Sequence, residues 1–444
     1  MQIANVEAPT KTSAHVSTDY RAMSMVTTLF FMWGFLTCLN DILVPHLKSI
    51  FDLNYAKVML IQLSFFSAYF FFSIPSGKVI EWIGYKKTMV VGLFTMAIGA
   101  LLFIPAASAP SFPLFLTALM ILAAGITALQ VAANPYVAVL GPPKTASSRL
   151  NFTQAFNSLG TTIAPYIGGL LILSSAPKTI DEIRRLSADQ LQAYRLHEAA
   201  SVKGPYLLFA VTLIVLGLII SKFRLPVIPD AEPSALHGTH IHTSSIWHYR
   251  HLLLGAIAIF VYVGAEVSIG SFLVNYFGQR EIGNLPEKVA AGYVSYYWFS
   301  AMVGRFAGAA ILQKVRPGKV LGIAALMACL LVTTSMLTFG HLAMWSIILV
   351  GFFNSIMFPS IFTLGIAELG PLTGEGSGIL VMAIVGGAII PVVQGALADR
   401  IGIHHAFFLP VLCYLYILYY GFKGSRPKFI GQQSATLAAN AQAN

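Results

Sequence analysis

The sequence predicts an all-α membrane protein with twelve transmembrane helices arranged as two six-helix halves. Three observations carry that prediction. Of 444 residues, 57% are hydrophobic and only 10% are charged, against about 25% charged in a typical soluble domain. The apolar residues lie in long runs, and about 20 such residues make one bilayer crossing. The runs also split six and six around a polar stretch, 223–248, that holds Pro226, Pro229, Pro233 and several Ser and His residues.

The spans fall near 22–44, 57–80, 88–107, 112–140, 149–173, 204–222, 249–279, 287–313, 318–338, 342–369, 375–398 and 404–422. They imply a cytoplasmic tail at 1–21, one bundle at 22–222, a cytoplasmic linker at 223–248, a second bundle at 249–422 and a disordered tail at 423–444. The first 20 residues are polar and show no signal-peptide pattern, which keeps the N-terminus in the cytoplasm. With both ends inside, 16 Lys and Arg face the cytoplasm and 10 face outward, five of the ten in the single loop 174–203. That loop also carries Asp181, Glu182, Asp189 and Glu198, and its SADQLQAYRLHEAA stretch reads as a short amphipathic helix. The distribution obeys the positive-inside bias. The net charge of +10 therefore reflects loop orientation, not a nucleic-acid surface. Cys38, Cys329 and Cys413 lie within apolar runs and lack the spacing of a disulfide framework or a metal site.

The two halves echo each other. Pro135, Leu140 and Gly141 in the fourth span return as Pro359, Leu364 and Gly365 in the tenth. Gly160, Pro165 and Gly169 in the fifth return as Gly386, Pro391 and Gly395 in the eleventh. Two matches in the same order argue for duplication. Repeated six-helix halves are the plan of the major facilitator fold, with the substrate site between the halves near mid-membrane.

Chemistry concentrates in a few intramembrane side chains. Asp41 stands in the first span, where a carboxylate costs roughly 2.5–3.5 kcal/mol on insertion scales. Such a group needs a purpose there, which can be binding a cation, carrying a proton or gripping a polar solute. Gly34, Thr37 and Asp41 share a helix face, with Asn40 beside them. Thr127, Gln130 and Asn134 form a stripe on the fourth span, and Gln154, Asn157, Ser158 and Thr161 another on the fifth. Amides donate and accept, and a carboxylate accepts two hydroxyls, so a cavity lined this way suits a neutral polyol. The other account of such residues is interhelical glue. The second half adds Glu266, with Tyr262 one turn before it, and Asn354 and Gln394 as further cavity candidates. Trp33, Phe65, Tyr69, Tyr293, Tyr297 and Trp298 offer flat faces to a sugar ring. Arg305, near the cytoplasmic end of the eighth span, reads as a gating or helix-pairing residue.

Gly77, Glu81, Gly84, Lys86 and Lys87 in the loop after the second span resemble the major facilitator loop signature of Gly, an acid, Gly and two basics, with Trp82 in place of the usual Arg. Gly77, Glu81 and Lys86 are the gating candidates there. A similar string, Gly395 to Gly402, falls at the outer end of the eleventh span. His237, His240, His242, His248 and His251 cluster in or near the central linker, which reads as solvated chain. No P-loop, zinc-ligand or dinucleotide pattern appears in a suitable context.

Leu39-Asn40-Asp41-Ile42-Leu43, Gln130-Val-Ala-Ala-Asn134-Pro135-Tyr136, Arg149-Leu-Asn151-Phe-Thr-Gln154-Ala-Phe156-Asn157-Ser158 and Tyr262-Val-Gly-Ala-Glu266 resemble the fucose–proton symporter family over residues 25–420. Within it the chain is most similar to bacterial glucose/galactose transporters, with N-acetylglucosamine porters close behind. The resemblance implies import of a neutral sugar coupled to H⁺ or Na⁺ by alternating access. Asp41 matches the family's coupling and sugar-binding aspartate, and Gln154 and Asn157 its polar cavity face. The fucose member has an acid at the position of Gln130 and a glutamine at that of Glu266. Acid and amide have thus traded halves, which leaves room for sodium near Asp41.

The expectation is a cation-coupled hexose symporter of the bacterial inner membrane. It is a monomer and not an enzyme, with no cofactor and no resident metal, both termini cytoplasmic, and lipid and a small neutral sugar as partners. Asp41 and Glu266 couple the cation. Asn40, Asp41, Gln130, Asn134, Gln154, Asn157, Tyr262, Glu266, Asn354, Gln394, Trp33 and Tyr297 bind sugar. The rival readings are a fucose or N-acetylglucosamine symporter, an exporter or antiporter with a more apolar cavity, and a membrane sugar sensor.

Overall fold

The computed structural model describes residues 18–51, 55–108, 111–172, 203–226 and 245–427, with scattered positions between 186 and 196; the side chains of 39–60, 62 and 165–172 lie outside the description. In chain order the helices are α1 Tyr20–Phe51, α2 Tyr55–Ser108, α3 Phe112–Val139, α4 Ala146–Ile172, α5 Lys203–Lys222, α6 Arg250–Gly278, α7 Glu287–Ile311, α8 Pro317–Leu337, α9 Gly340–Asn354, α10 Met357–Gly365, α11 Thr373–Met382, α12 Gly386–Ile401, α13 Ile403–Ala406 and α14 Phe408–Tyr419.

These make twelve crossings. The 54 residues of α2 would span about 80 Å at 1.5 Å each, well beyond two hydrocarbon thicknesses of about 30 Å. Gly84 breaks them at φ 81° and ψ 167°, so α2 supplies the second and third crossings. The pairs α9–α10, α11–α12 and α13–α14 each make one broken crossing. The last runs on into a π-turn, Tyr420–Gly424, two residues past the expected boundary at 422. The Gly395–Gly402 string ends in the same kind of break, with Gly402 at φ 82° and ψ 152°. The two similar strings thus stop their helices the same way, at opposite ends of the bundle.

Local rules explain the helix ends. Asp19 starts α1: its Oδ1 accepts from the amides of Arg21 at 2.9 Å and Ala22 at 3.0 Å, satisfying donors that a helix N-terminus leaves free. Ser187 and Gln190 cap each other reciprocally at 3.1 and 3.3 Å, a capping box at the start of the expected amphipathic stretch, of which only some residues are described. Phe71, Val392 and Leu412 point outward at 59%, 64% and 53% exposure, as lipid-facing residues do when the surrounding solvent is hydrocarbon.

The internal repeat has a physical counterpart. A Cβ on Gly160 would lie 2.3 Å from the Phe31 carbonyl oxygen, and one on the matching Gly386 would lie 2.0 Å from that of Phe260. The first crossing therefore packs backbone to backbone on the fifth, and the seventh on the eleventh, through equivalent glycines.

The halves join at the end that carries the Gly84 break. Ser147 Oγ meets Thr363 Oγ1 at 2.5 Å, Ser148 Oγ donates to the Ala309 carbonyl at 2.6 Å, and Ser377 Oγ donates to that of Val131 at 2.7 Å. Gly77 and Gly374 meet so closely that a Cβ on Gly77 would stand 2.9 Å from the Gly374 oxygen. Gly77, a predicted gating residue, thus lies in this junction.

Gly386→Ala should cost about 1–3 kcal/mol, the usual range for overpacking, and lower the melting temperature of the detergent-solubilised protein. Gly395→Ala should leave it unchanged, because its Cβ would meet only Phe272 at 3.6 Å. Equal effects of the two would remove the close-approach account.

Candidate functional site

A cavity of about 170 Å³ lies between the halves. Its wall takes Trp33, Gly34 and Thr37 from α1, Tyr69 from α2, Gln130 from α3, and Gln154, Asn157 and Thr161 from α4. The second half contributes Tyr262, Val263 and Glu266 from α6, Arg305 from α7, Phe358 from α10 and Ile384 from the 3₁₀ turn joining α11 to α12. Polar side chains thus meet at mid-span from both bundles, where only a protein-lined hollow can satisfy them.

Several wall residues are held from behind. Gln130 Nε2 donates to Tyr69 Oη at 2.6 Å, and Asn157 Nδ2 donates to the Phe30 carbonyl at 2.9 Å. The second contact needs Gly34, because a Cβ there would fall 2.1 Å from the Asn157 carbonyl oxygen. Tyr262 Oη donates to Glu266 Oε1 at 2.8 Å, fixing the carboxylate from one turn away on α6. Among the described residues Gln154 Nε2 has no partner, a donor left for whatever fills the cavity.

Arg305 crosses the junction. Its Nη1 donates to the Gln154 carbonyl at 3.1 Å and to Ser158 Oγ in the first half, and its Nε donates to the Ser355 carbonyl at 3.4 Å in the second. It also lies within electrostatic reach of Glu266. One residue therefore lines the cavity and ties the halves just beneath it, where the sequence alone suggested a gate or a helix pair.

Other predicted residues sit elsewhere. Asn134 and Gln394 are fully buried, their amide atoms without a partner among the described residues, and neither lines the cavity. Gln394 comes level with Ser268 Oγ, also unpartnered, in the register set by Gly386 on Phe260 and Gly264 on Ile390. Tyr297 and Asn354 pair with each other, the Asn354 Nδ2 donating to Tyr297 Oη at 2.9 Å, outside the cavity wall. Lys86 Nζ donates to the Ser221 carbonyl at 2.8 Å, so it caps the end of α5 within its own half. Trp82 points outward at 75% exposure. The side chains of Asn40 and Asp41 lie outside the described residues, as do His237, His240 and His242. Among the described residues no cluster of metal-ligating side chains occurs. Sequence reading missed Phe358 and Ile384, because an apolar residue facing a cavity looks like any core residue.

At the junction, the Glu81 carboxyl lies between the second and third crossings. Burial, and then the facing Glu375 of the second half, hold it above the usual carboxylate range, with Lys78 opposing.

The chain matches the Major Facilitator Superfamily family model over residues 25–390. It is 51% identical over 423 residues to a glucose/galactose transporter of Brucella abortus, covering 94% of this chain and 98% of that one. It is 37% identical over 398 residues to the L-fucose-proton symporter of Escherichia coli, covering 89% and 91%. The crystal structure of FucP in the outward conformation superposes with a TM-score of 0.83 at 36% identity, over 90% of this chain and 97% of that one. The chain belongs to the major facilitator superfamily and is a multi-pass membrane transporter, not an enzyme.

The Glu81 shift has a directional consequence. A raised carboxyl favours the joined arrangement while protonated; as pH rises through its elevated range, ionisation adds repulsion from Glu375 and the junction loosens. Distances between spin labels at Lys87 and Lys319 should lengthen from acid to neutral pH, and Glu81→Gln should flatten that dependence. A dependence that survives Glu81→Gln would assign it to another group.

Proposed function

Starting from its membership of the major facilitator superfamily, we propose that the chain is a cation-coupled symporter that imports a neutral hexose of the glucose/galactose type by alternating access. The observation that supports this most is the inter-half cavity, walled by three amides, several hydroxyls and one carboxylate, with Trp33 and Tyr69 as flat faces. Such a wall matches a polyol, whose hydroxyls both donate and accept; a drug exporter would favour an apolar one. Relatives named for glucose/galactose and for fucose–proton transport point the same way.

In this reading Gln130, Gln154, Asn157 and Glu266 hold sugar hydroxyls, and Asn40, Asn134, Asn354, Gln394, Tyr262 and Tyr297 support them or close over them. Asp41 follows Thr37 by one helical turn, which puts its Cα on the cavity-lining face of α1. It is the coupling carboxylate, and the proton-symporter relatives favour H⁺ over Na⁺. Loading it neutralises a charge at membrane depth and frees the halves to rock. The positive-inside distribution supports a cytoplasmic position for the joined end, in the inner membrane of a bacterium.

Uptake of labelled glucose, galactose and N-acetylglucosamine into proteoliposomes, each with and without sodium at two pH values, tests this. A pH gradient should drive accumulation of a hexose; no uptake of any of the three would end the proposal. Asp41→Asn should abolish uphill accumulation while sparing counterflow, and full accumulation by that variant would free Asp41 from coupling. Glu266→Gln should weaken sugar binding at least tenfold, about 1.5 kcal/mol or more for a lost charged hydrogen bond.

A further inference from the structure

A second, larger hollow of about 1180 Å³ opens on the side of the bundle at its joined end, walled by α1 and α4 of the first half and α7 of the second. Its character changes along its length. Near the end of the bundle the wall is polar, with Ser24, Arg149 and Gln313; toward mid-span it is aromatic, with Phe152, Phe156 and Phe306. Those rings meet across the halves, Phe306 lying 6.1 Å from Phe156 and 6.5 Å from Phe152. Phe152 and Phe306 are each 40% exposed, so the groove is open to acyl chains.

Arg149 supplies the charge. It is 6% exposed, and its hydrogen bonds end on neutral oxygens: the carbonyls of Val137, Ala138, Gly141 and Pro142 and Oγ1 of Thr145. Carbonyls orient a guanidinium but do not cancel its charge, and a buried charge calls for an opposite one. The Asp19 carboxylate, whose Oδ1 caps α1 through the amides of Arg21 and Ala22, is not among the hydrogen-bond partners of Arg149.

We propose that this groove binds an anionic phospholipid, its headgroup near Arg149 and Gln313 and an acyl chain along the Phe152–Phe156–Phe306 wall, bracing the halves in the joined arrangement. The polarity gradient is that of an amphiphile standing in one leaflet, and the charge selects an anionic one. Residues 1–17 are the rival occupant, but with one acid, Glu7, and one base, Lys11, they bring no net negative charge.

Native mass spectrometry of the full-length protein titrated with phosphatidylglycerol or phosphatidylcholine tests this. Phosphatidylglycerol should be retained at least tenfold better. Ala310→Trp, which fills the exposed groove wall, should cut retention about tenfold, and Gln313→Glu several-fold. Equal retention of the two lipids, or wild-type retention by both variants, would overturn the proposal. So would a tenfold gain on deleting residues 2–17, which would show the tail in the groove. None of these readouts involves sugar uptake.

Discussion

A polar group at mid-bilayer depth has no water to fall back on, and the rest of this structure follows from that constraint. Each backbone amide must be paired within its own helix, which makes every crossing helical and lets breaks such as those at Ser355 and in the 383–385 turn occur only inside the bundle. Gln130, Gln154, Asn157 and the Glu266 carboxylate gather at a shared hollow where the halves meet, whereas Asn134 and Gln394 are buried off it.

The same constraint sets how the bundle is packed. Hydrocarbon does not push helices together, so close approach has to come from shape. The equivalent glycines Gly160 and Gly386 let a neighbouring backbone in at the same place in each half. The duplication seen as spaced Gly and Pro residues is therefore a duplication of contacts in the two bundles.

Much of this was legible beforehand. Composition and run length gave the helical membrane class, and the Gly84 break that divides α2 sits within the loop signature that begins at Gly77. The polar stripes on α1, α3 and α4 pointed to Thr37, Gln130, Gln154, Asn157 and Thr161, all of which line the cavity. Depth within the wall was not legible. Asn134 is one turn from Gln130 on the same stripe, yet it is sealed behind the surface, because helix periodicity fixes a direction and not a distance from the hollow. Apolar liners such as Phe358 carry no mark at all. Lys86 matched a loop signature but turned to cap α5, since a lysine near a helix C-terminus finds carbonyl oxygens close at hand.

The join between the halves is built mainly from serine and threonine hydroxyls resting on carbonyls and on each other, with few charges. A neutral hydrogen bond of this kind contributes only about 1 kcal/mol net. Such a seam resembles a row of snap fasteners more than a weld. In the proposed alternating access it would open stud by stud, the charged bonds of Arg305 aside, with no step as costly as stripping two ions from one another in oil. Cycling speed would then rest on how many studs must be open at once, a quantity that evolution can adjust by exchanging a single serine for alanine.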